Sequence, residues 1–159
     1  MNKTGKALLI GCGCLVALSV AGVVGGVVWL LSRPESGVKL TNEMQPYALE
    51  YLSEHGLLEP GEEVLAYYDV TVSMDGTEAA ILTDGRVLYH SEGRTTSIRL
   101  AEIEDVRHRY ESLSGDVIEI EAASGEFMKI EIAPLNSGET FKNVLLTAWR
   151  RARESREGG

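Results

Sequence analysis

The chain has 159 residues, 24 of them acidic and 15 basic, for a formal charge of −9 at pH 7. All the acidic residues follow residue 31 while Lys3 and Lys6 precede it, so the larger part of the chain is more acidic than the whole. Such a surface repels phosphate backbones at long range, which argues against nucleic acid as a partner.

Residues 1–6 form a short basic head. Ala7 to Leu31 carries no charged residue, and as a helix it would reach ~37 Å, beyond the roughly 30 Å of a bilayer's hydrocarbon core, so 7–31 reads as a transmembrane helix. Leu9-Ile10-Gly11-Cys12 resembles a lipobox, but only about five apolar or small residues separate Lys6 from Cys12, too few for a secretory core, and an uncleaved anchor is expected. Cys12 and Cys14 are the only cysteines; lipidation of either is left open, and the rest of the chain can form no internal disulfide. Ala17, Ala21 and Gly25, with Gly22 and Gly26, give the span a small-residue face that admits a homodimer. The slight excess of positive charge before the span favours an extracytoplasmic domain on a bacterial cytoplasmic membrane.

Residues 32–40 read as a linker in which Pro34 disfavours a helical Arg33. Within 41–57, Pro46 to His55 predicts a short helix, with Leu49 and Leu52 as its apolar residues and Gly56 as its C-terminal cap. From Glu62 the period changes to two. Val64, Ala66, Tyr68, Val70 and Val72 alternate with Leu65, Tyr67, Asp69 and Thr71 in a first strand. Asp75-Gly76, Asp84-Gly85 and Glu92-Gly93 mark the turns that lead into Ala79–Thr83, Val87–Tyr89 and Thr96–Leu100. A fifth series runs through Ile103, Val106, His108 and Tyr110, with a phase slip after Ile103 that predicts a bulge. Residues 117–122 and 127–132 alternate apolar and charged residues as strands wetted on one face do. After Pro134 the period becomes helical: Asn136 or Ser137 is placed to cap, Phe141, Val144, Leu145, Ala148 and Ala152 form one stripe with Trp149 at its edge, and the residues from about 155 to 159 are expected to fray.

Seven short strands followed by an amphipathic helix containing a tryptophan resemble the pleckstrin-homology-like superfold. GEEVLAYYD, AAILTDGRVLYH, IEDV and FKNVLLTAW resemble phrases of its bacterial members, over about residues 58–154. The resemblance implies an α+β, mainly β domain: a seven-stranded antiparallel, partly open barrel with a C-terminal capping helix, to which the short N-terminal helix is an addition. Members that hold inositol phosphates do so with basic residues around the first hairpin loop. Here that loop, Ser73 to Thr77, carries Asp75 and no basic residue, so the phosphoinositide site is not implied.

No nucleophile elbow, phosphate-cradling glycine loop or paired metal-ligand spacing appears, so no catalytic, cofactor or metal residue is assigned and no enzyme activity is expected. The groups weighed for chemistry have plainer roles. His108 near Glu104 and Asp105, and Glu62 beside Glu63, read as strand residues; Arg107 and Arg109 read as cross-strand partners of Glu119 or Glu121. Arg86, Arg94 and Arg99 are the candidates for a local positive patch. Tyr47, Tyr51 and Tyr67 are either a contact surface or the seam beneath the short helix. The expected function is a membrane-anchored, non-enzymatic interaction or scaffolding module with a protein partner at the membrane surface. The alternative is a lipid- or small-ligand-binding domain.

Overall fold

The computed structural model describes residues 36–158, so the basic head, the predicted span 7–31 and the first four residues of the linker lie outside the described residues. Among those described, no helix is long and apolar enough to cross a membrane. The described residues are mainly β, with eight strands in two antiparallel sheets and two α-helices.

The first sheet is a meander of β1 (Lys39–Leu40), β2 (Val64–Asp69), β3 (Glu78–Thr83), β4 (Arg86–Ser91) and β5 (Arg94–Arg99), hydrogen-bonded in that order. Its turns fall at the Asp-Gly and Glu-Gly pairs. The second sheet is β6 (Ile103–Glu111), β7 (Gly115–Ala122) and β8 (Phe127–Ile132), again consecutive. Helix α1 (Pro46–Glu54) lies between β1 and β2 in the chain, and α2 (Gly138–Glu157) ends the fold. The principal core takes Ala66, Tyr68, Ala80, Leu82, Val87 and Ile98 from the first sheet, Ile118, Ile120, Ile130 and Ile132 from the second, and Phe141, Leu145 and Ala148 from α2. Trp149 closes the helix edge by donating Nε1–H to the Ile103 carbonyl at 3.0 Å.

A second, smaller core occupies the other face of the first sheet. There Ala48, Leu52 and Leu57 of the α1 region cover Val64, Tyr67, Ala79, Ile81 and Leu88. Gly56 adopts φ +57°, and the Leu57 N–H reaches back to the Leu52 carbonyl at 3.0 Å, so the predicted glycine cap returns Leu57 to the apolar seam.

Several expectations are met at the level of register. The phase slip after Ile103 is a bulge between Ile103 and Asp105. Arg107 pairs with Glu121 at 2.8 Å and Arg109 with Glu119 at 2.6 Å. Other expectations are corrected. The end of the predicted linker, Lys39–Leu40, is a strand because the edge of β2 offers it a partner, Lys39 opposite Tyr67. The first long strand stops at Asp69, whose carboxylate folds the following loop, and Val72 is exposed rather than inward. A bulge at Leu65 reverses the phase, so Val64 joins the smaller core while Ala66 and Tyr68 join the larger. Leu49 points to solvent and Ala48 takes its place in the seam.

Neither predicted cap of α2 accepts a helix N–H with its side chain. Asn136 instead hydrogen-bonds the Tyr68 hydroxyl, and Ser137 precedes the helix in a left-handed conformation. The helix also continues through the residues expected to fray, as far as Glu157. Arg156 holds that last stretch by donating to the Ala101 carbonyl at 3.0 Å.

Two local constraints fix the ends of the sheets. Gly115, at φ +82°, has its Cα so close to β8 that an added Cβ would lie 2.2 Å from the Ile132 carbonyl oxygen. Gly115→Ala is expected to cost about 3 kcal/mol, read as a lower urea midpoint at unchanged m-value.

At the opposite end, Arg86 grips Glu62 through two bonds of 2.8 and 2.9 Å, and Thr83 donates to the same carboxylate at 2.6 Å. Burial opposes the Glu62 charge, but the bonds from Arg86, Thr83 and the Glu59 backbone outweigh it and bring the carboxyl down to about 2. A folded-state value below the unfolded one means stability that is complete above the ordinary glutamate range and is lost as pH falls from there toward 2. Glu62→Gln, which removes the charge that the guanidinium pairs with, is expected to lose about 2 kcal/mol at neutral pH and to flatten this part of the acid-unfolding profile.

Candidate functional site

The described surface is indented where α2 passes the edge of β2. Two adjoining grooves of about 350 and 320 Å3 share Leu65, Ala148 and Arg151. The local sequence makes this indentation. Strand β1 is two residues long and pairs only with Tyr67 and Ala66, so beyond Leu40 the β2 edge has no strand beside it, and Thr41 caps the Val64 carbonyl through its hydroxyl at 2.6 Å. The bulge then leaves Leu65 without a partner on β3 and half-buried beside the helix flank.

Leu65, Val144 and Ala148 give the groove an apolar floor. Asn143 and Thr147 line one part of the rim, and Arg151 stands with Glu63 and Asp84 at the other. The groove thus pairs an aliphatic floor with a polar rim that carries both signs of charge. No nucleophile with an adjacent base lies in it.

A second cluster lies beneath and beside α1. The Tyr51 ring stacks on His55 at 3.9 Å between centroids, and its hydroxyl is 3.1 Å from His90 Nε2. His90 is buried, its Nδ1 is 2.8 Å from the Thr95 hydroxyl, and burial together with His55 holds its imidazole below the usual histidine range. Asp69 closes the adjoining loop, accepting from the Thr71 N–H and hydroxyl and from the Gly76 N–H. Asp75 accepts from Ser73 and Thr77 and is brought down to about 2 by them. Burial, then the Asp69 charge, raises the Tyr47 and Tyr67 phenols far above their usual range, which keeps both protonated. The cluster is a satisfied polar seam with one exception: the buried Tyr67 hydroxyl has no hydrogen-bond partner.

The groups weighed on sequence are distributed by the fold as follows. His108 bonds Asp116 across the β6–β7 ladder at 2.7 Å, and Asp105 instead pairs with Arg107. Arg86 and Arg99 are register partners at one end of the β4–β5 hairpin while Arg94 sits at the other, so the three arginines do not form one patch. Arg86 is held by Glu62 and Glu59, Arg94 lies beside Glu92, and Arg99 lies beside Glu102. Tyr67 lies under α1, with Tyr47 and Tyr51 packed against the same seam. His55 and His90 approach to 6.4 Å between ring centroids, but among the described residues no group of three or more His, Cys, Asp or Glu is placed to hold a metal ion.

Sequence reasoning does not find the groove, because it arises where a strand is too short and another has a bulge. Comparison with protein-family models, curated proteins and solved structures finds no match.

An unpartnered buried hydroxyl forfeits its hydration without replacement. Tyr67→Phe is therefore expected to raise the thermal midpoint slightly, by up to about 1 kcal/mol in stability, and a lower midpoint would mean that the hydroxyl has a partner.

Proposed function

We propose that this chain is a single-pass bacterial membrane protein whose pleckstrin-homology-like domain is a non-enzymatic interaction or scaffolding module. The strand order supports the fold reading. A four-stranded meander from β2 to β5, a three-stranded meander from β6 to β8, and then a helix packed on both sheets follow the order of that superfold, with β1 and α1 as additions.

The observation that carries the functional reading is the groove along α2 and the β2 edge. Its floor offers apolar contact and its rim offers hydrogen bonds and both signs of charge. A protein segment suits such a lining, and a domain tethered by a linker of a few residues meets partners at the same membrane surface. The uncharged stretch 7–31 supplies the anchor, and the basic residues before it favour the extracytoplasmic side for the domain.

A photo-activated cross-linker at the exposed rim residue Thr147, in the full chain in its native membranes, should capture a discrete protein partner. The same probe at Ser124, in the β7–β8 turn, should not. Asn143→Arg fills the rim without entering the core and is expected to reduce capture at least tenfold, the loss of about 1.4 kcal/mol of binding. Equal capture at both positions, or none at Thr147, refutes the reading. Capture of lipid alone at Thr147 supports the lipid-binding alternative.

A further inference from the structure

Three of the six large apolar side chains that the described domain leaves exposed sit on loop tips. Val72 is 77% exposed, Leu113 95% and Leu135 101%. Each tip is flanked by uncharged residues: Thr71 and Ser73, Ser112 and Ser114, Pro134 and Asn136. In a chain with a quarter of its residues charged, that local neutrality sets the three tips apart.

The three tips are carried at one end of the described domain. The Tyr68 hydroxyl, just before the loop that carries Val72, accepts from Ala133 N–H and the Asn136 side chain at 3.2 Å. The backbone of the same 133–136 loop lies against Gly115, which ends the turn that carries Leu113. Tyr110, also exposed, stands two residues before that turn, opposite Asp116.

The chain enters the domain at this same end. Val38 donates its N–H to the Asn136 carbonyl at 2.9 Å. Six residues separate Leu31 from Val38, a reach of at most about 25 Å when fully extended. Val72, Leu113 and Leu135 thus lie at the end of the described domain where Val38 enters it.

Leu135 gives an independent reason to look for an occupant. Its φ is +70°, a left-handed conformation that disfavours a leucine and suits glycine or asparagine. A fully exposed leucine in that conformation gains nothing from the fold.

We infer that Val72, Leu113 and Leu135 seat this end of the domain in the bilayer interface, with Tyr110 at the headgroup level. The inference rests on reading 7–31 as a span. Aliphatic tips bury apolar area among the acyl chains, and a tyrosine offers an apolar ring with a polar end. The domain's net negative charge opposes approach to anionic headgroups, so the contact suits zwitterionic lipid and depends on the tether for its effective concentration.

The test uses the full chain in phosphatidylcholine nanodiscs, with Cys12 and Cys14 replaced by serine. A polarity-sensitive dye is attached in turn at V72C, L113C, L135C and, as the control in the β7–β8 turn, S124C. The expected result is blue-shifted emission at the first three positions, quenched by doxyl-labelled phosphatidylcholine, and neither effect at S124C. Leu135→Asn should raise the thermal midpoint while reducing dye quenching at V72C and L113C, a pair of changes that a merely structural leucine would not give.

Water-like emission at all four positions in a chain that resists alkaline carbonate extraction overturns the seating and leaves the anchor standing. A chain released by carbonate overturns both. A blue shift without lipid quenching, lost on dilution, overturns the bilayer in favour of a second copy of the chain.

Discussion

The structure depends on burying the first sheet from both sides. Strand β3 has Ala79, Ala80, Ile81 and Leu82 at 1% exposure or less, and consecutive residues of a strand point to opposite faces. A domain with one core would leave Ala79 and Ile81 in water; α1 and Leu57 cover them, while the second sheet and α2 cover Ala80 and Leu82. The short N-terminal helix is therefore part of the folding unit. Its cap glycine, its link through Leu57 and the Arg86 to Glu62 grip all serve to hold it against that second face.

The same requirement accounts for the polar seam at the α1 edge. Tyrosine supplies apolar area while its hydroxyl seeks an edge, which is how Tyr47 and Tyr51 are used beside Met74 and His90. Tyr67 goes too deep for that arrangement. The loop from Asp69 to Thr77 is close enough to α1 that a Cβ on Gly76 would lie 2.9 Å from the Tyr51 ring, so the loop's internal hydrogen bonds and the helix position are set together. An acidic loop organised by its own threonines, serine and backbone is already satisfied, and its charge needs no ligand to explain it.

What could be read in the sequence follows from how local each signal is. The turns at Asp75-Gly76, Asp84-Gly85 and Glu92-Gly93, the alternation in β7 and β8, the bulge after Ile103 and the stripe of α2 all depend on residues within one element, and they stand as expected. The misplacements come from tertiary competition. Lys39–Leu40 becomes a strand only because β2 is beside it, and Asn136 leaves its cap position because Tyr68 is beside it. The direction of Val64 changes because a bulge reverses parity, which alternation alone cannot locate between Val64 and Ala66. The groove was hidden for the same reason: it lies between an absent strand neighbour and a helix far away in sequence.

Charge is distributed along α2 in a way that sorts the two ends of the described domain. The helix begins with Glu139, paired to Lys142, beside the loops that carry Leu113 and Leu135, and Asp116 lies against its first residue, Gly138. It ends with Arg150, Arg151, Arg153 and Arg156, where the backbone carbonyls of a helix terminus favour positive charge. Arg153 lies over the Trp149 ring and Arg156 bonds Ala101, so these arginines also fasten the last turns to the sheet. The basic end is consequently the one remote from the point of chain entry, and the end near it offers acid at its rim and neutral apolar tips at its crest. A membrane surface facing that end would be selected by apolar contact and would be held off by anionic lipid, the reverse of the preference that a basic phosphoinositide site confers.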